Sequence, residues 1–392
     1  MDKNAMDLLL NGLALVTLIT LIVTAIEFLI GFPQLKNLTQ QSELADTDLP
    51  SVSIIFSALN EAEDIELALT SMLALHYPRI EVIAVNDRST DNTPTILEDI
   101  AKRYPQLRVH HINELPAGWF GKNHALQVGA ELAQGDWLLF TDADVVMKPG
   151  TLTKAVSYVL QNKLDHFTIC EHHLRNTFWL KILLMGHYLT YSMSFKPWRI
   201  KYASSKKSLG HGAFNLVNKS VYQACGGHAA IAMECLDDLK LGALIKEKGY
   251  KQDTVDGRDY IEREWYVSLP QMIQGWKKNT FAYFDYKLMP LLRDSLFAVL
   301  FFIWPWFAAI LCSGELRWIN VINIALTLFI SAYVARQFRL PQRYAFFYPC
   351  SISLLLYCIW CSVVSVYANK GVIWRGTHYS LESLREKKAT QV

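Results

Sequence analysis

The chain has 392 residues, with 38 lysines and arginines against 36 aspartates and glutamates, for a net charge of +2. That net charge is uninformative about nucleic acid, but no dense basic patch with interleaved aromatics appears, so no nucleic-acid partner is expected. Seven cysteines without framework spacing exclude a disulfide scaffold, and a 52 % hydrophobic share is high for a soluble enzyme.

The hydrophobic excess is clustered. Leu8 to Ile30 is almost wholly apolar and long enough to cross a bilayer. It has no basic leading region and no small-residue cleavage site, so residues 1–31 read as a retained transmembrane anchor. Glu27 within it is expected near a membrane interface. Residues 32–50 form a polar linker ending in Pro50.

From Ser51 the pattern alternates. Val52–Ser57, Ile80–Val85, Leu107–His111 and Trp137–Thr141 predict strands, whereas Glu61–Leu75, Pro94–Arg103 and Asn123–Ala133 predict helices. Strands separated by helices of this length imply an α/β domain with a mostly parallel central sheet. Right-handed crossovers place the strand ends on one edge. Those ends carry Asn60-Glu61, Asn86-Asp87 and Asp142-Ala143-Asp144.

Asp142 and Asp144 are one residue apart at the end of a buried-strand pattern, so they face the same side. Ligands of open α/β sheets bind at that end. Two carboxylates there suit a hard cation, Mg²⁺ or Mn²⁺, which in turn suits a diphosphate. Asp87 can accept hydrogen bonds from a nucleobase or ribose, and Asp91 or Asn92 can cap the next helix. Asp87 is read as functional and Asp91 as structural. Glu61 is ambiguous, since a carboxylate in a helix's first turn is stabilised by the dipole in any case. Gly121-Lys122-Asn123 puts a point charge at a helix N-terminus, which suits a phosphate, although the P-loop context is missing.

The ordered series is more specific than any member. Ala58-Leu59-Asn60-Glu61, Val85 to Asp91, Gly121 to Leu126 and Thr141 to Asp144 are followed by Gly210-His211-Gly212-Ala213-Phe214, Gly226-Gly227-His228 and Asp237-Asp238-Leu239. Residues 51–242 thereby resemble a family 2 glycosyltransferase of the GT-A fold. The hydrophobic ends extend the likeness to membrane-bound, lipid-acting members such as carotenoid and hopanoid-associated glycosyltransferases and ceramide glucosyltransferase.

The resemblance implies an inverting, metal-dependent enzyme that moves one hexose from a nucleotide sugar, UDP by resemblance, to a hydroxyl of a membrane lipid. Asp238 would be the catalytic base. Asn60, Glu61, Asp87, Lys122, Asp142, Gly212 and Trp265 would bind nucleotide and substrate, and Asp144 with Asp142 would hold the metal. His211 and His228 are candidates for the acceptor side or for plain turn residues. Processive relatives carry Gln-X-X-Arg-Trp, whereas this chain reads Ile261-Glu262-Arg263-Glu264-Trp265-Tyr266. That departure disfavours the alternative of a polysaccharide synthase. A catalytically inactive membrane scaffold is the alternative of another class.

The expected domain is residues 51–260, followed by an amphipathic interfacial segment over 261–295. Leu296–Cys312, Trp318–Ala335 and Ala345–Ala368 predict membrane helices within 296–368, with Trp304, Trp306, Trp318 and Trp360 in an aromatic-belt pattern. Residues 369–392 are a polar tail in which Trp374-Arg375-Gly376 resembles a cytosolic tail motif of related enzymes. Nucleotide sugars are cytosolic, so the expected setting is the inner or plasma membrane with the catalytic domain in the cytoplasm. Three full C-terminal crossings would put the basic tail outside, against the positive-inside tendency. Leu296–Cys312, broken by Pro305, is therefore expected to be re-entrant or interfacial.

Overall fold

The computed structural model describes residues 3–173, 177–263 and 265–389. In chain order the elements are α1 (Lys3–Gly31), β1 (Val52–Ala58), α2 (Ile65–Leu73), β2 (Ile80–Asp87), α3 (Thr93–Ala101), β3 (Leu107–Ile112), α4 (Gly121–Leu132), β4 (Trp137–Asp142) and β5 (Val145–Met147). There follow α5 (Thr151–Asn162), β6 (His166–Cys170), β7 (His172–His173), α6 (Phe178–Phe195), β8 (Asn215–Asn218), α7 (Lys219–Ala224), α8 (Asp237–Glu247), β9 (Gln252–Asp256) and β10 (Ile261–Arg263). The last are α9 (Leu269–Asn279), α10 (Leu288–Ala298), α11 (Trp304–Leu311), α12 (Gly314–Gln337), α13 (Tyr348–Ala368), β11 (Gly371–Trp374), β12 (Thr377–Ser380) and α14 (Leu381–Ala389).

These elements group into two compact units. One comprises Leu35–Arg175, Pro197–Trp265 and Trp374–Val392; the other comprises Met1–Gln34, Asn176–Lys196 and Tyr266–Ile373. The first is built on a seven-stranded sheet of order β3-β2-β1-β4-β8-β6-β9. Strands β1 to β4 are mutually parallel, and β8 runs antiparallel between β4 and β6.

The strands are apolar on both faces because helices cover both. Ile54, Phe56, Val82, Ala84 and Leu139 join one core with Leu69, Met72 and Leu97 of α2 and α3. The alternate residues Ile55, Ile83, Val85, Leu138 and Phe140 join the other with Leu126 of α4 and Leu241 of α8. That alternation is the two-residue period of a strand read against a doubly covered sheet.

Three local readings change. The helix expected over Glu61–Leu75 spans Ile65–Leu73. Asn60 turns the chain with φ +57°, and the N–H groups of Asp64 and Ile65 donate back to the Glu61 carbonyl. Glu61 therefore precedes the helix, and the dipole of a first turn does not account for it. Helix α4 starts at Gly121, two residues early, which brings Lys122 into its first turn. Residues 261–263 are a strand, β10, paired antiparallel with β5; Glu264 lies outside the described residues.

In the second unit, four helices among the described residues are long and apolar enough to cross a membrane: Ala5–Gln34, Leu288–Leu311, Gly314–Gln337 and Gln342–Ala368. Glu27 is ion-paired to Lys196 at 2.6 Å, which compensates a carboxylate on an otherwise apolar helix. The amide of Asn323 on α12 donates to the Ala14 carbonyl of α1 at 3.1 Å. Ahead of Pro305, Val299–Ile303 widens into a π turn. Proline lacks an N–H and crowds the carbonyl four residues back, and the wider turn accommodates it.

Candidate active site

The sheet order reverses between β1 and β4. A crevice at such a switch point, outside the carboxyl ends of the strands, is where an open α/β sheet binds ligands. Strand β4 ends there on Asp142, and Ala143 turns inward. Asp144 lies in the turn between β4 and β5 rather than on the strand, yet it shares a side with Asp142, since Arg263 contacts both.

Pairing of β10 with β5 sets Arg263 opposite Val145, beside Asp144. Its guanidinium bridges both acids: Nη1 lies 2.8 Å from Asp142 Oδ2, and Nε lies 3.0 Å from Asp144 Oδ2. Burial alone would lower the Arg263 pKa, but Asp144 and Asp142 outweigh it and hold the charge firmly. Burial pushes the Asp144 carboxyl up, against the pull of Arg263. The second oxygen of Asp144, Oδ1, is buried with no hydrogen-bond partner.

Lys122 closes the other side. Its Nζ is 2.8 Å from Asp142 Oδ1 and 3.0 Å from Asp237 Oδ2. Desolvation opposes its charge, yet Asp142, Asp237 and Asp238 together keep its pKa well above the ordinary lysine value. Asp142 is thus gripped by two cations, each of which it shares with a second acid: Lys122 with Asp237 and Arg263 with Asp144.

Asp237 and Asp238 open α8. Asp238 Oδ1 accepts the Leu239 N–H at 2.8 Å. Burial, then the adjacent Asp237, push the Asp238 carboxyl up to about 6, with Lys122 pulling the other way. A carboxylate tuned close to neutral pH can take a proton from an approaching hydroxyl.

Gly212 stands behind Asp142, where an added Cβ would lie 2.6 Å from Asp142 Oδ2. His211 is set by Glu171 and Cys170, at 3.4 Å and 3.5 Å from its two ring nitrogens. Burial disfavours its charge, but Cys170 and Glu171 prevail and raise its pKa to about 9. His228 is different. It is buried, bonded to the Tyr222 hydroxyl at 2.8 Å and packed edge-on to Phe140. Burial and Lys122 drive its pKa down to about 3, so it is a neutral core residue.

The ends of β1 and β2 carry the remaining candidates. Asp87 is buried, and both of its oxygens accept from the Arg88 guanidinium, at 2.7 and 3.0 Å. An added Cβ at Gly121 would lie 2.4 Å from Asp87 Oδ2, so only glycine lets α4 start this close. Asn60 Oδ1 accepts the Thr90 N–H at 2.8 Å and holds the β2–α3 loop. Asp91 accepts from the N–H groups of Thr93 and Ala62, a structural capping role. The Glu61 carboxylate accepts from Arg375 of the tail, and burial raises its pKa. Trp265 lies two residues beyond Arg263, half-buried.

The structure therefore brings Lys122, Asp142, Asp144, Gly212 and Asp238 to one rim, and holds Asn60, Glu61 and Asp87 at the adjoining strand ends. The sequence assigned no site role to Arg263, to Asp237 as a partner of Lys122, or to Arg375, although Arg263 stands in the segment matched to Gln-X-X-Arg-Trp and Arg375 in the Trp374-Arg375-Gly376 tail motif. Among the described residues no group of three or more His, Cys, Asp or Glu side chains forms a closed cation site. Lys122 and Arg263 engage both oxygens of Asp142 and one of Asp144, so Asp144 Oδ1, buried and unpartnered, is the oxygen of the pair left for a hard divalent ion.

The family model for glycosyl transferase family 2 matches residues 53–226. A curated relative, the 4,4'-diaponeurosporenoate glycosyltransferase of Staphylococcus aureus, is 25 % identical over 232 residues. That stretch is 58 % of this chain, which so spans 60 % of the relative's length. A solved mannosyltransferase from Pyrobaculum calidifontis, PcManGT in complex with GDP-Man and Mn²⁺, superposes with a TM-score of 0.52 at 19 % identity. The superposition covers 92 % of this chain and 99 % of that one, and shows a shared GT-A fold.

Proposed function

We propose, from the premise that residues 53–226 place this chain in glycosyl transferase family 2, that it transfers a single hexose from a nucleotide sugar to a hydroxyl of a membrane lipid, with inversion. The observation that carries the reading is the convergence of Asp142, Asp237 and Asp238 on Lys122 at the carboxyl edge of the sheet, with Asp144 tied to Asp142 by Arg263.

Asp238 is the base. With its pKa up to about 6 it is mostly ionised at neutral pH, and it removes the proton of the acceptor hydroxyl as that oxygen attacks the anomeric carbon. Attack from the face opposite the diphosphate inverts the configuration. Lys122 and Arg263 put two positive charges where the leaving diphosphate develops negative charge. Asp144 Oδ1, with Asp142, would hold a divalent ion, Mg²⁺ or Mn²⁺. Such an ion supplies further charge neutralisation for the diphosphate. Asn60, Glu61 and Asp87 would shape the nucleotide end, with uridine favoured by family resemblance, and Trp265 the acceptor end.

The apolar helices support a lipid acceptor, and the likeness to the 4,4'-diaponeurosporenoate glycosyltransferase of Staphylococcus aureus supports an isoprenoid such as a carotenoid. The same helices support an integral membrane protein of the inner or plasma membrane, with the catalytic unit cytoplasmic, where nucleotide sugars are made. The tail from Trp374 belongs to the same compact unit as residues 35–175, so both lie on one side of a bilayer. An even number of the three apolar helices between them then crosses, and Leu288–Leu311, interrupted by its π turn and Pro305, is the one assigned to the interface.

The test is mass spectrometry of extracted lipids from cells with and without the gene, and with Asp144→Asn and Asp238→Asn variants. The expected result is one hexose increment that needs the gene and both acids. Full complementation by either variant would refute the catalytic reading.

A further inference from the structure

The C-terminal hairpin is bound to the residues that shape the nucleotide end. Strands β11 and β12 pair across the two-residue turn Arg375-Gly376. Both turn residues have positive φ, +46° and +78°, which defines a type I′ hairpin. Asparagine followed by glycine is the favoured occupant of that turn, because a long side chain resists the left-handed conformation. Here the strained first position carries an arginine, and its guanidinium is in use. Arg375 donates to the Glu61 carboxylate and to the Leu59 carbonyl, both at the end of β1.

A second anchor lies four residues on. The Tyr379 hydroxyl accepts the Gly121 N–H at 3.2 Å. That N–H is one of the donors left unpaired at the start of a helix, and Lys122 follows it directly. The Tyr379 ring stacks on Phe120 with centroids 4.0 Å apart, and Trp374 packs on the same ring at 5.6 Å. Phe120 and Tyr379 are buried, so this is a packed joint. The hairpin therefore touches β1 at Glu61 and α4 at Gly121. Both contacts border the crevice, one just beyond β1 and the other beside Lys122.

We infer that the hairpin is a wall of the donor site, and that Arg375 is a positioning residue which holds the Glu61 carboxylate in the orientation the nucleotide meets. Glu61 is partly desolvated, and without a partner its carboxylate would turn to solvent or take up a proton. Arg375 opposes the rise that burial causes and fixes the carboxylate. Tyr379 locks the helix start from which Lys122 reaches Asp142. The inference rests on the donor reading of this crevice given above.

The experiment is equilibrium binding of UDP and GDP to the purified full chain in detergent, alongside donor KM and kcat. Arg375→Ala should weaken binding of the preferred diphosphate about tenfold, the scale of one lost charge-assisted contact. Donor KM should rise by a similar factor with kcat little changed, and the unfolding temperature should hold. Arg375→Lys should restore part of the affinity, since lysine keeps the charge without the fork. Glu61→Gln combined with Arg375→Ala should bind no more weakly than Glu61→Gln alone. Wild-type affinity in Arg375→Ala, or losses that add in the double variant, would overturn the positioning role while leaving the donor reading intact. A wild-type chain that binds neither diphosphate would overturn both.

Discussion

The electrostatics around Asp238 make a prediction of two opposite signs. Asp237 raises the Asp238 pKa, and Lys122 lowers it. Replacing Asp237 by asparagine removes a like charge at nearly constant volume, and it leaves Lys122 paired to Asp142. Replacing Lys122 by methionine removes the opposing charge. Two unit charges about 6 Å apart at an effective dielectric of about 20 interact by ~3 kcal/mol. Water reaching the mouth of the site screens part of that and leaves ~1.4 kcal/mol, about one pH unit. A base must be ionised to act, so kcat/KM should fall tenfold per unit as pH drops below about 6 in the wild type. In Asp237→Asn that limb should move about one unit lower. In Lys122→Met it should move about one unit higher, on top of a lower plateau. Burial is the largest cause of the raised value, so neither variant reaches the ordinary carboxylate. The assay is hexose transfer at sub-saturating donor across pH 4.5 to 8. Shifts of the same sign in both variants, or a wild-type limb near pH 4, would refute the assignment of Asp238 as base.

Asp144→Asn should lower transfer by about 10² or more, and chelation of divalent ions should do the same to the wild type, with Mg²⁺ or Mn²⁺ restoring it; full activity in chelator would contradict the role given to Asp144. Arg263→Met leaves two carboxylates only 18 % and 26 % exposed without their shared partner. Calorimetry should show a loss of ~2–3 kcal/mol of stability, and added divalent ion should recover part of it; an unchanged unfolding temperature would count against the bridging contact. Reporter fusions near residue 315 and at the C-terminus should place the tail on the catalytic side; an external tail would defeat the parity argument drawn from the shared unit.

Much of the fold was legible because it is written locally. The runs Val52–Ala58, Ile80–Asp87 and Trp137–Asp142 are continuous apolar stretches bounded by polar turns, and such runs report a doubly covered parallel sheet without knowledge of partners. Asp142 was legible as the end of such a strand, and Asp144 followed from its closeness in sequence, although it lies in the turn beyond the strand. Arg263 was not, because it meets Asp144 across 119 residues of sequence through the pairing of two three-residue strands. Arg375 reaches Glu61 across 314 residues. Short strands carry too little periodicity to announce their partners. The start of α2 was misplaced because Glu61-Ala62-Glu63-Asp64 has helical composition, whereas Asn60 adopts the left-handed region and Asp91 and Thr93 take the N–H groups of Ala62 and Glu61. Tertiary hydrogen bonds there outweigh local propensity.

The central claim is that Asp238 activates an acceptor for sugar transfer at the rim where Lys122, Asp142 and Asp144 meet. The most direct test incubates the purified full chain, in lipid extract, with a nucleotide hexose and a divalent ion, and weighs the lipids. A single hexose increment is expected from the wild type and none from Asp238→Asn. An equal increment from both, or none from the wild type with any nucleotide hexose supplied, would contradict it.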